Sequence, residues 1–263
     1  MSEPKMTLLP ILWEDQDLWV FHKPAGLIVN EADTHKTQSI QELLRPVLAD
    51  LADRKLDWQS LVPADFDPQW GTPEEIFAQR VGMVHRLDKD TSGCLVWAKN
   101  PGGLVNLMTQ FRLRQVVKEY TALVHGLVTP AEGTIDLPLA RNPRNRMRIG
   151  VHPAGRPAVT QYHVLATYQD ALGQTFSLIK CLPHTGRMHQ IRAHLAHLNH
   201  PLVGDSLYLG HKTAKKDKSW CPRQFLHASA IILTAPRTGQ KMRVTAELAL
   251  DLSQVLALLR SRS

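Results

Sequence analysis

The order of apolar and polar residues along this chain predicts many short strands and few helices. Runs rich in β-branched, aromatic and leucine residues predict strands at 18–21, 94–98, 120–124, 159–166, 176–182, 226–233 and 242–246. Apolar residues at helical spacing predict helices at 40–51, 104–111, 188–198 and 252–259. Turn residues at 170–173 and 236–239 join consecutive strands. This pattern is typical of an α+β fold with a mixed, mainly antiparallel sheet and flanking helices.

Four stretches interrupt the pattern. Residues 1–10 predict a loose tail, so the main domain is expected to span 11–263. Pro46 lies inside the first helical pattern and predicts a kink or a division into two short helices, with Thr37 or Ser39 as the N-cap. Residues 57–75 lack periodicity, which predicts a long loop that either covers a cleft or is a disordered insertion. Residues 212–218 are rich in lysine and predict a flexible surface loop.

Composition and charge narrow the possible partners. The chain has 263 residues, enough to bury a sizeable core. Lysine and arginine number 31 against 24 acidic residues, and the net charge of +7 favours a polyanionic partner. The three cysteines are far apart, which argues against a disulfide framework or a zinc site. Neither a signal peptide nor a membrane-spanning apolar run is recognisable, so we expect a cytoplasmic protein that does not bind a membrane.

The stretch from His85 to Gly93 concentrates ionisable side chains. It reads His-Arg-Leu-Asp-Lys-Asp-Thr-Ser-Gly and lies between the apolar segments 81–84 and 94–98. We predict a loop between two core segments, which is where catalytic side chains are most often found. The opening of a calcium-binding helix-loop-helix loop is one alternative, but Lys99 stands where that loop needs a bidentate glutamate. Simple turn formation by Asp, Ser and Gly is the other alternative.

Two further segments are rich in basic or imidazole side chains. Residues 141–148 contain four arginines and no acidic residue. Such a run is usually a solvated charged loop, although arginine forks also match phosphate geometry. Residues 184–200 contain five histidines, which raises the alternative of a metal site, but the segment has no carboxylate or thiolate and no His-Glu-x-x-His pattern. We therefore predict no metal and a helix that packs by its apolar face and presents a basic head.

Four segments together resemble the signature sequences of the RluA-type pseudouridine synthases. They are His85–Gly93, Lys-Glu-Tyr at 118–120, His-Thr-Gly-Arg-Met-His-Gln-Ile-Arg at 184–192 and His-Pro-Leu-Val-Gly-Asp at 200–205, in the family's order. The likeness covers about residues 11–250. Lys-Pro-Ala-Gly at 23–26 fits as well, although His22 and Asn30 depart from the family's more common Asn and His. Many members carry an N-terminal helical RNA-binding module, which we expect this chain to lack because its first strand begins so early.

The resemblance implies the pseudouridine synthase fold, a bisected sheet with a central catalytic cleft. It also implies an isomerase that converts uridine to pseudouridine in structured RNA without a cofactor or a metal. Asp88 falls at the family's catalytic aspartate and would act as a nucleophile or remove a sugar proton. Arg187 would keep this carboxylate ionised and oriented. Tyr120 would stack beneath the uracil and assist the final deprotonation.

The resemblance also implies contacts with RNA. Arg86 would fill the gap left by the extruded base, and an ion pair with Asp90 is its alternative role. The other expected contacts come from basic side chains, namely His85, Lys89, Lys118, Arg141, Arg144, Arg146, Arg148, His189 and Arg192. We expect ribosomal RNA as the partner, slightly favoured by the segment 144–162, or transfer RNA, and we expect a monomer.

Two other classes of protein are weighed against this interpretation. A non-catalytic RNA-binding or ribosome-assembly protein on the same fold is expected to have lost Asp88, Tyr120 or Arg187, and all three are present. A metal-dependent hydrolase built on the histidine-rich segment would bind metal and lose activity with a chelator. Both are less favoured than the synthase.

Overall fold

A computed structural model describes residues 9–31, 38–52 and 57–262. The strands are β1 (Ile11–Glu14), β2 (Leu18–Lys23), β3 (Ser92–Ala98), β4 (Val117–His125), β5 (Glu132–Asp136), β6 (Leu139–Arg141), β7 (Ile149–Val151), β8 (Val159–Gln169), β9 (Thr175–Pro183), β10 (Leu226–Thr234), β11 (Lys241–Thr245) and β12 (Arg260–Arg262). The helices are α1 (Ile40–Ala52), α2 (Pro73–Arg80), α3 (Pro101–Arg112), α4 (Gln190–His197), α5 (His211–Asp217) and α6 (Leu250–Ala257). By its contacts the chain divides into two compact units, Met1–Val116 with Ala230–Ala246 and Val117–Ser229 with Glu247–Ser263.

The first unit is built on an antiparallel sheet. Strand β2 lies between β1 and β3, and its last residue, Lys23, pairs with Gly93 at the beginning of β3. Residues of β3 are buried along its whole length, as expected for the apolar run at 94–98. Helix α3 packs on this sheet through Leu104 and Leu107, which are fully buried in the same apolar cluster as Val96. The unit therefore has its own core.

The second unit contains a longer antiparallel sheet. Strand β9 pairs with β4 on one side and with β8 on the other. The 11-residue strand β8 then pairs with β5 along its first part and with β12 along its last. Helix α4 packs on this sheet through Ile191 and Leu195, which are buried with Ile179 and Leu202. A separate two-stranded sheet is formed by β6 and β7, and it carries the arginine-rich segment at its turn.

Local sequence explains where three helices begin. Ser39 and Glu42 bond to each other's backbone N–H, so Ser39 caps α1, as predicted. Thr72 and Glu75 form the same capping box at α2. Asn100 accepts a bond from the N–H of Gly103 and caps α3, which therefore begins at Pro101, earlier than its apolar pattern indicates. Thr37, the other predicted cap of α1, and residues 1–8 of the predicted tail lie outside the described residues.

Three local predictions are wrong in whole or in part, each for an identifiable reason. Helix α1 continues through Pro46 instead of dividing into two helices, because burial of its apolar face holds both halves, and the alternative of a kink stays a prediction. The loop predicted at 57–75 contains two 3₁₀ turns, Gln59–Leu61 and Pro68–Trp70, and ends earlier than predicted because α2 begins at Pro73. Residues 211–217 form α5, which the charge of the segment concealed.

The predicted fold class is confirmed. The structure combines helices with a mixed, mainly antiparallel sheet, and the strand pairings within each unit given above are antiparallel. The hairpins at 170–173 and 236–239 lie where the turn residues predict them. Among the described residues, no helix has the length and apolar composition needed to cross a membrane.

Candidate active site

The loop of residues 85–91 is held from below by β2 and the turn that follows it. The buried side chain of Lys23 donates from its Nζ to the carbonyl oxygens of Pro24, at 2.8 Å, and Lys89, at 2.9 Å. The N–H of Gly26 donates to the same Lys89 oxygen at 2.9 Å. A further bond from the N–H of Thr91 to the carbonyl of Asp88 closes the turn. The 85–91 loop is therefore anchored at its centre by two donors.

Burial alternates within the 85–91 loop. Leu87 and Thr91 are buried, whereas Arg86 and Lys89 are exposed. Asp88 is half-buried, between these extremes. Anchoring the apolar residues fixes the backbone, so the charged side chains are presented from a defined frame. A half-buried carboxylate on such a frame is suited to act on a substrate.

His85 contacts the core of the first unit. Its Nε2 accepts a bond from the N–H of Val96 at 3.0 Å, so this nitrogen carries no proton in that arrangement. The imidazole ring also stacks on Phe111, with ring centroids 4.8 Å apart. These contacts join the 85–91 loop to β3 and α3. They give His85 a positioning role within the protein.

Tyr120 and Lys118 lie on β4 in the second unit, on the same face of the strand. Tyr120 is half-buried and packs against the apolar cluster that contains Ile179. The Nζ of Lys118 donates to the carbonyl of Thr185 at 3.3 Å. Burial lowers the pKa of Lys118 to about 8, because desolvation disfavours its charged form. Lys118 is thus directed at the segment that carries Arg187.

Gln190 organises that segment. Its Oε1 accepts bonds from the hydroxyl of Thr185 at 2.7 Å and from the N–H of Arg187 at 3.0 Å. Its Nε2 donates to the carbonyl of Val159 and the hydroxyl of Thr160, both at 2.9 Å. Because Gln190 is buried and bonded on both sides, it fixes the backbone that presents Arg187.

Arg187 itself is half-buried, and its Nε donates to the carbonyl of Pro157 at 3.1 Å. His189 follows in a left-handed conformation, with φ of 53°, and places its Nδ1 3.4 Å from the hydroxyl of Tyr208. Asp88 belongs to the first unit, whereas Tyr120 and Arg187 belong to the second. The pairing of Asp88 with Arg187 stays a prediction.

Arg192 is buried in an ion pair with Asp205. Its Nε and Nη2 donate to the two carboxylate oxygens at 2.7 and 2.8 Å, and the two side chains are 7% and 1% exposed. The guanidinium groups of Arg148 and Arg192 lie 5.0 and 5.2 Å from the centroid of the Tyr208 ring. The Tyr208 hydroxyl bonds both the N–H and the carbonyl of Ile149. These contacts favour a structural role for Arg192.

The arginine-rich turn between β6 and β7 is exposed. Arg141, Arg144 and Arg146 are exposed, and Arg148 is half-buried against Tyr208. Within the described residues, the structure shows no ion pair to a carboxylate for any of these four side chains. Four cations without compensating acids give this turn a positive potential suited to an anion.

The histidines of the 184–200 segment serve different purposes. His194 is buried and bonds Thr160 and the carbonyl of Leu137, and burial lowers its pKa. His200 bonds the carbonyl of His125. In the part of the chain that the structure describes, no three His, Cys, Asp or Glu side chains come together as metal ligands.

Comparison with known proteins decides the family. The family model described as RNA pseudouridylate synthase matches residues 17–197, which include the 85–91 loop, Tyr120 and Arg187. This chain belongs to that family. It is an RNA pseudouridine synthase, an isomerase, and the predicted resemblance is confirmed.

Relatives of this synthase span most of its length. The chain is 36% identical to the uncharacterized RNA pseudouridine synthase YlyB of Bacillus subtilis over 96% of this chain and 73% of that protein. It is 35% identical to the ribosomal large subunit pseudouridine synthase D of Pseudomonas aeruginosa over 96% of this chain and 72% of that protein. The ribosomal large subunit pseudouridine synthase D of Haemophilus ducreyi is 32% identical over 98% of this chain and 73% of that protein.

Solved structures confirm the pseudouridine synthase fold. The human protein titled RNA pseudouridylate synthase domain containing 4 matches with a TM-score of 0.67 and 26% identity, covering 96% of this chain and 94% of that one. The human protein titled RNA pseudouridylate synthase domain containing 1 matches with a TM-score of 0.70 and 23% identity, covering 100% of this chain and 92% of that one.

Sequence reasoning assigned no role to three residues that position this synthase's predicted site. Lys23 and Gln190 were visible inside recognised segments, but their burial and their bonds to the loop backbones were not. Tyr208 carried no signal in the sequence, since it lies outside the recognised segments. A buried polar side chain that satisfies backbone groups distant in sequence is revealed only by the fold.

Proposed function

We propose that this synthase isomerises specific uridines of ribosomal RNA, with Asp88 as the catalytic carboxylate. The observation that carries the proposal is the 85–91 loop, because its backbone is anchored by Lys23 and Gly26 while the Asp88 side chain stays half-buried. Two of the relatives above are named as ribosomal large subunit synthases, which supports ribosomal RNA as the substrate. Transfer RNA is the second substrate class that we consider.

The reaction needs a carboxylate near the anomeric carbon. The C1′–N1 bond breaks, the uracil turns, C1′ bonds to C5, and C5 loses its proton to regain the aromatic base. Asp88 starts this sequence either as a nucleophile at C1′ or as a base toward a sugar proton. Electrons and atoms balance within the uridine, so neither an oxidant nor a reductant is required. Our proposal accordingly includes no cofactor.

Tyr120 and Arg187 complete the proposed catalytic set. The half-buried ring of Tyr120 offers a surface on which the uracil can stack, and its hydroxyl is suited to the final proton transfer. Arg187 sits on a backbone fixed by Gln190, and a guanidinium held in this way stabilises a carboxylate as its charged form. Binding requires that the uridine leave its stack, and the exposed Arg86 would fill the space behind it.

The remaining proposed RNA contacts fall into two groups. Exposed cations are the stronger group, because phosphate contacts need accessible donors: Lys89, Arg141, Arg144 and Arg146, with Arg148 partly accessible. Within the second group, Lys118 and His189 are half-buried and would contact the substrate only inside the site. We assign His85 and Arg192 to positioning, since their ring and guanidinium bond within the protein. We further expect a cytoplasmic monomer.

The test is to map pseudouridine in cellular RNA. Ribosomal and transfer RNA are compared from cells with and without the gene, by mass spectrometry after cyanoethylation. The deletion strain is complemented with the wild type, with Asp88→Asn, or with the matched control Asp90→Asn. Loss of the carboxylate charge at Asp88 should lower the rate of modification at least about a thousandfold, whereas Asp90→Asn should retain most of it.

The outcomes separate the parts of the proposal. Sites that vanish from ribosomal RNA and return only with the wild type and Asp90→Asn would support both the substrate and the role of Asp88. Sites that vanish only from transfer RNA would move the substrate to that class. Full complementation by Asp88→Asn would refute the catalytic role of Asp88. Pseudouridines that all persist in the deletion strain would favour a non-catalytic RNA-binding protein.

A further inference from the structure

A cavity lies beside the β6–β7 sheet, and all of its lining residues belong to the second unit. Its volume is about 440 Å³. Apolar side chains from both strands, Leu139 and Ile149, line it together with Met188 from the segment before α4. Sites for small molecules and cofactors have volumes of roughly 300 to 1,000 Å³, so the cavity is large enough to hold one. The reaction derived above uses only one of its lining residues, Arg187.

The wall opposite the strands is built to lie close to β6. The N–H of Gly155 donates to the carbonyl of His152, and Arg156 exchanges two backbone bonds of 2.9 Å with Leu139. A Cβ at Gly155 would lie 2.6 Å from the carbonyl carbon of Leu139 and 2.8 Å from the oxygen of His152. Only glycine fits this approach, so the shape of the cavity depends on the 152–156 turn.

The rim of the cavity is positively charged. Arg141, Arg156 and Arg187 line it, and no carboxylate does. Arg156 is exposed and, within the described residues, forms no ion pair. An apolar floor below a rim of guanidinium groups complements a group that is flat and apolar on one side and anionic on the other. A nucleotide has this character, with a base and a phosphate.

We propose that this cavity binds one unpaired nucleotide of the RNA substrate, next to the uridine that is isomerised. The base would rest on Leu139, Ile149 and Met188, and its phosphate would be held by Arg156 and Arg141. Arg187, which lines the cavity, belongs to the proposed catalytic set, so we assign the cavity to a nucleotide that flanks the isomerised uridine. The inference deepens the proposed function and rests on RNA as the substrate.

The test measures binding of RNA directly. The probe is a fluorescein-labelled, short single-stranded oligouridylate, and its Kd for the full chain is measured by fluorescence anisotropy over a range of KCl concentrations. The variants are Arg156→Gln, which removes a rim charge, Met188→Gln, which makes the floor polar, and Ala154→Phe, which fills the cavity. Arg45→Gln, at an exposed arginine of α1, is the matched control for loss of charge.

Each variant has its own expected signature. Arg156→Gln should reduce the slope of log Kd against log salt concentration by about one, as expected for one lost phosphate contact. Met188→Gln and Ala154→Phe should weaken binding by about threefold or more with the slope unchanged, because they disturb the contact with the base. Arg45→Gln should leave both quantities as in the wild type. Thermal melting of each variant shows that it is folded, and if Ala154→Phe is not, Met188→Gln carries the test of the floor.

Competition and activity distinguish the remaining cases. If all three cavity variants bound the oligouridylate with the Kd of the wild type, the inference would be overturned. A second outcome would also overturn the inference: only Arg156→Gln weakens binding of the oligouridylate, and inorganic phosphate competes with it as well as uridine monophosphate does. The cavity would then be a site for simple anions. If the variants behave as expected but the wild type modifies no cellular RNA, binding of a nucleotide in the cavity is supported and the proposed catalytic function fails.

Discussion

Replacement of Arg192 by leucine tests whether its charge serves the fold or the RNA. The substitution keeps a long apolar side chain but removes both bonds to Asp205, which are 2.7 and 2.8 Å long. The Asp205 carboxylate is 1% exposed and would keep only the bond from the N–H of Leu207 among those described here. A buried carboxylate without its partner cation is strongly unfavourable.

The magnitude follows from this burial. Breaking one side of a buried ion pair costs about 3 to 5 kcal/mol, since the other charge stays desolvated. For a chain of this size that loss corresponds to a decrease in Tm of about 6 to 20 °C. Exchanging both partners, as in Arg192→Leu with Asp205→Leu, should recover much of the loss, because no unpaired charge is left.

The assay combines urea unfolding with the anisotropy measurement. Arg192→Leu should lower the free energy of unfolding while leaving the salt slope of RNA binding unchanged at temperatures where it is folded. The matched control is Arg146→Gln, at an exposed position, which should stay within about 0.5 kcal/mol of wild type in stability. An unfolding midpoint unchanged by Arg192→Leu, together with a salt slope reduced by one, would refute the structural role and restore the predicted RNA contact.

The other predictions concern the close packing at Gly204, the half-buried Lys118, and Lys23, which anchors the 85–91 loop. Gly204→Ala places a Cβ 2.1 Å from a backbone oxygen at φ +73°, so the free energy of unfolding measured in urea should fall by about 2 to 5 kcal/mol. The control is Gly239→Ala, at φ +67° with open space around the Cβ, for which this free energy should fall by about 1 kcal/mol. Burial lowers the pKa of Lys118 from 10.5 to about 8, so the unfolded chain binds more protons between these values. The free energy of unfolding should therefore rise by up to about 3 kcal/mol from pH 8 to 10.5, and Lys118→Met should lose this rise; equal pH dependence in both proteins would contradict the assigned burial. Lys23→Met removes the Nζ donor to the Lys89 carbonyl. The kcat for pseudouridine formation should therefore fall about tenfold or more, and hydrogen exchange in the 85–91 loop should become faster. An unchanged kcat would show that the N–H of Gly26 alone is enough to hold the loop.

The sequence by itself was enough for the elements whose signals are local. The buried strand at 94–98 and the helix after Pro101 are confirmed, because apolar periodicity and turn residues act within a few positions. The capping box of Thr72 and Glu75 was also present in the sequence, and reading it would have corrected the predicted loop at 57–75. Contiguous segments likewise carried the resemblance that named the family.

Only the tertiary structure decided the environment of each charge. Arg192 and Arg156 are both arginines in basic segments, yet one is buried against Asp205 and the other is exposed on the rim of a cavity. Lys23 is fully buried, and its Nζ donates to a carbonyl 66 residues away in the chain. Burial and pairing depend on residues distant in sequence that the fold brings together, and composition or spacing does not encode these distances.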